Sequence, residues 1–135
     1  MKKTKVEKVF EYRGLQCIVT HHATRDQSWR CGYVVVGRNH WSFEDDYDLM
    51  PRRETYGQVN YTDYHINFDR APLFFRIKHW IKEKLKLSWY IGFDSNYDYM
   101  KGNQGIDIII EECKGLADDL VLINKDKGEF RASAS

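Results

Sequence analysis

The sequence predicts an α+β fold, an N-terminal antiparallel β-sheet with two α-helices packed on it. Three observations predict it. The first third holds short β-branched and aromatic runs separated by turn residues, the signature of strands. Two later stretches repeat apolar residues every three to four positions, the period of a buried helix face. And 135 residues suit one domain with a core of its own.

The elements follow in order. Val6 to Tyr12 alternates imperfectly and reads as a first strand, with Arg13-Gly14 as a tight turn after it. Leu15 to Thr20 carries Cys17, Ile18 and Val19 and reads as a second strand, followed by a polar loop from His21 to Ser28. Trp29 to Val36 ends in three valines and reads as a strand buried on both faces. Arg38 to Met50 is expected to be a loop anchored by Trp41, Phe43 and Tyr47, and Glu54 to Tyr61 a further strand.

Pro72 suits the start of a helix, where its missing N–H goes unnoticed. Leu73, Ile77, Trp80, Ile81 and Leu85 then form the stripe expected to face the core, with Lys78, Lys82, Glu83 and Lys86 in water. Ser88 to Phe93 reads as a strand stopped by Asp94-Ser95-Asn96. A second helix starts near Gly105 or Ile106, with Ile109, Cys113, Leu116, Leu120 and Ile123 inward and Glu111, Glu112, Lys114 and Asp118 outward. Residues 1–124 are expected to form the domain and 125–135 a frayed polar tail.

Composition removes several classes of function. The formal net charge is +1, from 21 basic and 20 acidic residues, which argues against binding duplex nucleic acid by neutralising many phosphates. No apolar run approaches the ~18 residues a membrane span requires, and the lysine-rich start lacks the apolar stretch of a signal peptide. Three scattered cysteines, Cys17, Cys31 and Cys113, suit free thiols in a reducing compartment, so a cytoplasmic protein is expected.

Catalytic and metal signatures are weak. His21 and His22 are adjacent, so on a strand they point to opposite faces, and no Cys/His pair has zinc spacing. Asp94-x-Asn96-x-Asp98 starts like a calcium loop but has Tyr99 where Gly is needed and Gly105 where Glu is needed. No nucleophile elbow or phosphate loop occurs. A binding protein is therefore expected, not an enzyme, with no cofactor; Asp94 or His40 would be the general base if it were an enzyme.

The positive signal is aromatic: 15% of the residues are Phe, Tyr or Trp. Twenty rings exceed what one small core hides, which favours a pocket or an interface. Arg30, Tyr33, Arg53, Asn60, Trp89, Phe93 and Asn96 are the types that hold a nucleotide, with rings for the base, arginines for phosphate and amides for the base edge. Tyr33, Trp89 and Phe93 as plain core residues, and Asn96 as a turn residue, are the competing reading. If Phe93 and Asn96 are ligand residues, their alanine variants lose binding and keep the melting temperature within a few degrees.

The order of several blocks resembles a small phage-encoded protein family. They are Arg30-Cys31-Gly32-Tyr33-Val34, Tyr56-Gly57-Gln58-Val59-Asn60-Tyr61, Trp89-Tyr90-Ile91-Gly92-Phe93-Asp94 and the run from Glu112 to Leu120. The layout is similar to that of the Thoeris anti-defence 1 sponges. That resemblance implies a homo-oligomer in the host cytoplasm that sequesters a small anionic cyclic nucleotide of the cyclic ADP-ribose type without cleaving it. Where the family carries His-Gly-Gly this chain has Tyr56-Gly57-Gln58, and where it carries Cys-x-His this chain has Ser95-Asn96-Tyr97, which removes side chains that might serve metal or acid–base chemistry. The alternative is a phage protein that inhibits a host defence protein by direct contact, using Trp29, Trp41, Phe43 and Tyr47 as an exposed patch.

Overall fold

Arg13 and Gly14 both adopt positive φ, and this two-residue turn joins the first two strands in a tight hairpin. The computed structural model describes residues 2–50, 59–94 and 105–134, with side-chain surroundings as far as Val121. Strands β1 (Lys3–Tyr12), β2 (Leu15–Ala23) and β3 (Ser28–Gly37) form a meander. β4 (Tyr61–Asp63) and β5 (Ser88–Asp94) complete a five-stranded antiparallel sheet in the order β1-β2-β3-β5-β4. Two helices, α1 (Leu73–Leu85) and α2 (Ile106–Ala134), pack on it, which makes the fold α+β.

Strand alternation divides the apolar residues between two faces. Cys17, Val19, Val34, Val36, Trp89, Ile91 and Phe93 meet Ile109, Cys113, Leu116, Ala117 and Leu120 of α2. On the other face Val6, Ile18, Cys31, Tyr33, Val35 and Tyr90 meet Phe75 of α1 and Ile66, which precedes that helix. The valines of β3 are thus buried on both sides, as the unbroken apolar run predicts.

Several expectations change. β2 runs three residues further than expected, taking His21 and His22 into the sheet. α2 continues to Ala134, through the stretch expected to be a frayed tail. Glu112, expected outward, is buried. Most of the strand expected over 54–61 lies outside the described residues, and the strand seen there is Tyr61–Asp63.

The largest change concerns α1. It buries Phe75 and His79, four residues apart on one side, and turns the expected core stripe outward. Leu73, Ile77, Trp80, Ile81 and Leu85 are 44–59% exposed, and Phe74 is 79% exposed. The cause is local: the His79 ring fits among Phe68, Phe75 and Tyr90, and its Nε2 accepts the Ile66 N–H at 3.2 Å.

Between β4 and α1, residues 64–71 form a strap across the α1 face, from one edge of the sheet to the other. It leaves β4 at the β5 side, buries Ile66, and reaches β1 at Asp69 and Arg70. There the Asp69 N–H donates to the Thr4 carbonyl at 2.7 Å, and the Val6 N–H donates to the Arg70 carbonyl at 2.8 Å. The Asp69 carboxylate accepts the Thr4 N–H at 2.7 Å. No helix among the described residues is long and apolar enough to cross a membrane.

Candidate functional site

Residues 29, 31 and 33 of β3 point to the same side of the sheet, toward the strap. With Thr4 and His22 from the neighbouring strands, Asp94 from the end of β5, and Asn60, Tyr61 and Asn67 from the chain above, they line a cavity of about 320 Å³. Such a volume falls at the lower end of small-molecule pockets, roughly 300–1,000 Å³. Lys2 stands at its rim, with Nζ 5.6 Å from the Trp29 ring centre.

Its walls are aromatic and its edges polar. The His22 and Trp29 rings stack with centroids 5.4 Å apart and planes within 6°. Tyr33 and Tyr61 meet edge to face at 5.6 Å. Tyr61 donates its hydroxyl to the His65 carbonyl at 2.6 Å, which ties the cavity wall to the strap. The Asn60 amide donates to the Asp94 carboxylate at 3.2 Å. This pair and the Asn67 amide add hydrogen-bond donors and acceptors to the aromatic lining.

Burial keeps the thiol, phenol and imidazole groups of the cavity neutral. Burial pushes the Cys31 thiol up to about 12, helped by the Asp94 charge, and pushes the Tyr61 phenol up to about 12. Burial also raises Tyr33. His22 lies 3.0 Å from the Thr4 hydroxyl through Nδ1 and 2.8 Å from the Thr20 hydroxyl through Nε2. A neutral imidazole has one N–H and one lone pair, so one threonine accepts and the other donates.

Burial first, and the Lys2 charge second, lower the His22 pKa to about 4. The unfolded chain binds this proton near the ordinary value of ~6.5, whereas the folded chain resists it until about pH 4. The folded state therefore keeps its full stability above pH 6.5 and loses it as the pH falls toward 4. The loss due to His22 is about 2 kcal/mol after discounting for water in the open cavity. Urea unfolding between pH 7 and pH 4 checks this, and His22→Gln is expected to flatten the profile by that amount. Burial lowers His40 and His79 as well, so part of the slope remains in the variant.

Of the residues proposed from sequence, Tyr33, Asn60 and Phe93 border this cavity. The Phe93 ring belongs to the α2-side core, where it lies over Gly32 and beside Cys113. Arg30 points to the opposite side of β3 from Tyr33 and pairs with Glu7 at 2.6 Å through its Nε. Trp89 sits in the α2-side core and donates its indole N–H to the Asp45 carbonyl at 3.0 Å. Arg53 and Asn96 lie outside the described residues.

Lys2, His22, Trp29, Cys31, Asn67 and Asp94 line the cavity without having been chosen as ligand residues from sequence. Alternation along β3 from Tyr33 points to Cys31 and Trp29. Nothing local points to Asn67, which the strap brings in. Asp94 and His40, the two candidate general bases, are far apart in role: Asp94 lines the cavity, whereas His40 accepts the Ser42 N–H and stacks obliquely on Trp41, which bonds to α2. Among the described residues, no three His, Cys, Asp or Glu side chains converge as a metal site requires. Compared with protein families, curated proteins and solved structures, the chain matches none.

Proposed function

We propose that this protein binds and sequesters a small cyclic nucleotide of the cyclic ADP-ribose type, as a phage anti-defence sponge that leaves its ligand intact. The observation that carries the reading is the make-up of the cavity. A stacked His22–Trp29 surface, two amides and a carboxylate in the same lining, and a lysine at the rim suit a base, its polar edge and an anionic group respectively. The layout, similar to that of the Thoeris anti-defence 1 sponges, supports the same class of ligand.

The chemistry of the cavity supports retention over turnover. A thiol raised to about 12 is not a nucleophile near neutral pH, and His22 has both ring nitrogens engaged by threonines. The alternative, inhibition of a host protein through Trp29, Trp41, Phe43 and Tyr47, has less support. Trp41 and Phe43 pack on the α2 side, and Trp29 lines the cavity on the other.

Isothermal titration with cyclic ADP-ribose isomers and with cyclic di- and trinucleotides is expected to give a stoichiometric isotherm for one class. Denaturing the complex should return the nucleotide unchanged. Trp29→Ala is expected to weaken binding about 10–100-fold, the worth of one stacking platform, at ~1–3 kcal/mol. Its melting temperature should stay close to that of the parent, because Trp29 is half-buried at the cavity wall. No heat with any of these nucleotides, and none released from purified protein, would falsify the reading; recovery of a cleaved nucleotide would make the protein an enzyme.

A further inference from the structure

The outward face of α1 is apolar along its whole length. Six large side chains, Leu73, Phe74, Ile77, Trp80, Ile81 and Leu85, share an arc of about 140° at the helical 100° step and are exposed. Isolated exposed hydrophobics are ordinary, but a contiguous patch of this size marks an interaction surface. The face is also basic: at the same 100° step Lys84 falls within the apolar arc and Arg76 and Lys78 flank it, whereas Lys82 lies toward the buried Phe75 and His79.

A second patch has the opposite charge. Between β3 and β4, Glu44, Asp45, Asp46 and Asp48 occur with no base among them, around a short 3-10 turn that exposes Tyr47 and Leu49 at 52% and 63%. It adjoins the C-terminal end of α1. Arg38 donates to the Leu85 and Lys86 carbonyls, Lys86 lies over the Tyr64 ring, and Tyr64 donates its hydroxyl to Glu44.

We propose that α1 docks on the 44–49 segment of a second copy of this chain, and that the contact is made twice in a two-fold dimer. Pairing α1 with α1 would set lysines against lysines, whereas pairing it with 44–49 sets Arg76, Lys78 and Lys84 against four carboxylates, with apolar side chains between them. Because the two patches adjoin on one surface, a two-fold axis between them makes both contacts at once, as a closed symmetric interface requires. The eight exposed apolar side chains supply on the order of 1,000 Å² per copy, enough for the roughly 800 Å² per partner of a standard interface. The proposal is independent of what the cavity binds.

The test is a charge swap read by sedimentation equilibrium of the full chain, with near-UV circular dichroism as a control for folding. The unmodified protein is expected to dimerise reversibly, and more weakly as salt is raised. Lys78→Glu/Lys84→Glu and, separately, Asp46→Lys/Asp48→Lys are each expected to weaken the dimer by at least about a hundredfold, since facing like charges costs several kcal/mol. The combined four-fold variant should recover most of it. Phe74→Glu should give a monomer with an unchanged fold, as that ring touches little of its own chain. A protein that stays monomeric at every concentration overturns the proposal, and so does a dimer indifferent to the Asp46/Asp48 reversal. Flotation of that monomer with phosphatidylserine vesicles would assign the face to an anionic membrane instead.

Discussion

Phe93→Ala is expected to lower the stability of the protein by about 3–5 kcal/mol, the cost of emptying a large aromatic site in a core that cannot fully collapse. Phe93 is 1% exposed. Its ring lies across Gly32, its direct partner on β3, so closely that a Cβ at Gly32 would stand 2.5 Å from Cζ and 2.6 Å from the Cys113 sulfur. The ring is therefore a wedge between sheet and α2. For a domain of this size the melting point should fall by on the order of 10–20 °C, measurable by calorimetry or urea unfolding. This outcome is opposite to that expected of a ligand-stacking residue, which would lose binding and keep its melting temperature. A fall of only a few degrees would return Phe93 to the binding site.

Gly92→Ala is expected to lower stability by about 2–3 kcal/mol and to distort the cavity at the same time. The same relation recurs here on the opposite face of the sheet: Gly92 pairs with Tyr33, whose ring covers it. A Cβ at position 92 would meet Tyr33 Cδ1 at 2.5 Å and the Gly32 carbonyl at 3.1 Å. The ring has to tilt away from β5, and Tyr61 stands edge-on to it at 5.6 Å. A cycle of Gly92→Ala, Tyr33→Leu and the double variant, followed by urea unfolding, tests this. The two changes should be less costly together than their separate costs suggest, by more than ~0.5 kcal/mol, because the smaller side chain makes room for the new methyl. Additive costs would show that the ring does not feel position 92.

These two glycine–aromatic pairs also show what sequence reading can and cannot reach. Gly32-Tyr33 and Gly92-Phe93 are recognisable as strand dipeptides, and the strands holding them are legible from their β-branched neighbours. That they face each other in antiparallel register, so that each glycine is covered by the other strand's ring, depends on a long-range pairing that no local pattern encodes. The same limit governs the cavity. Tyr33 and Asn60 were reachable from chemistry alone, but Arg30 has the right chemistry on the wrong side of its strand, and Asn67 arrives through the strap. In α1 the period of the stripe was legible and its direction was not. Periodicity reports that a helix has an apolar side, while Phe75 and His79 decide which side meets the sheet.

The strap has a consequence for how the domain comes apart. A sheet ordinarily unzips from its margins, where the outermost strand has neighbours on one side only. Here one stretch of chain is joined to both margins, through β4 at one and through Asp69 and Arg70 at the other. Peeling β1 away breaks the strap's last hydrogen bonds, and releasing the strap frees Ile66 and removes the hydrogen-bond partner of His79. The two margins are thus mechanically one, and the wall that the strap gives the cavity is lost only as part of a larger cooperative event.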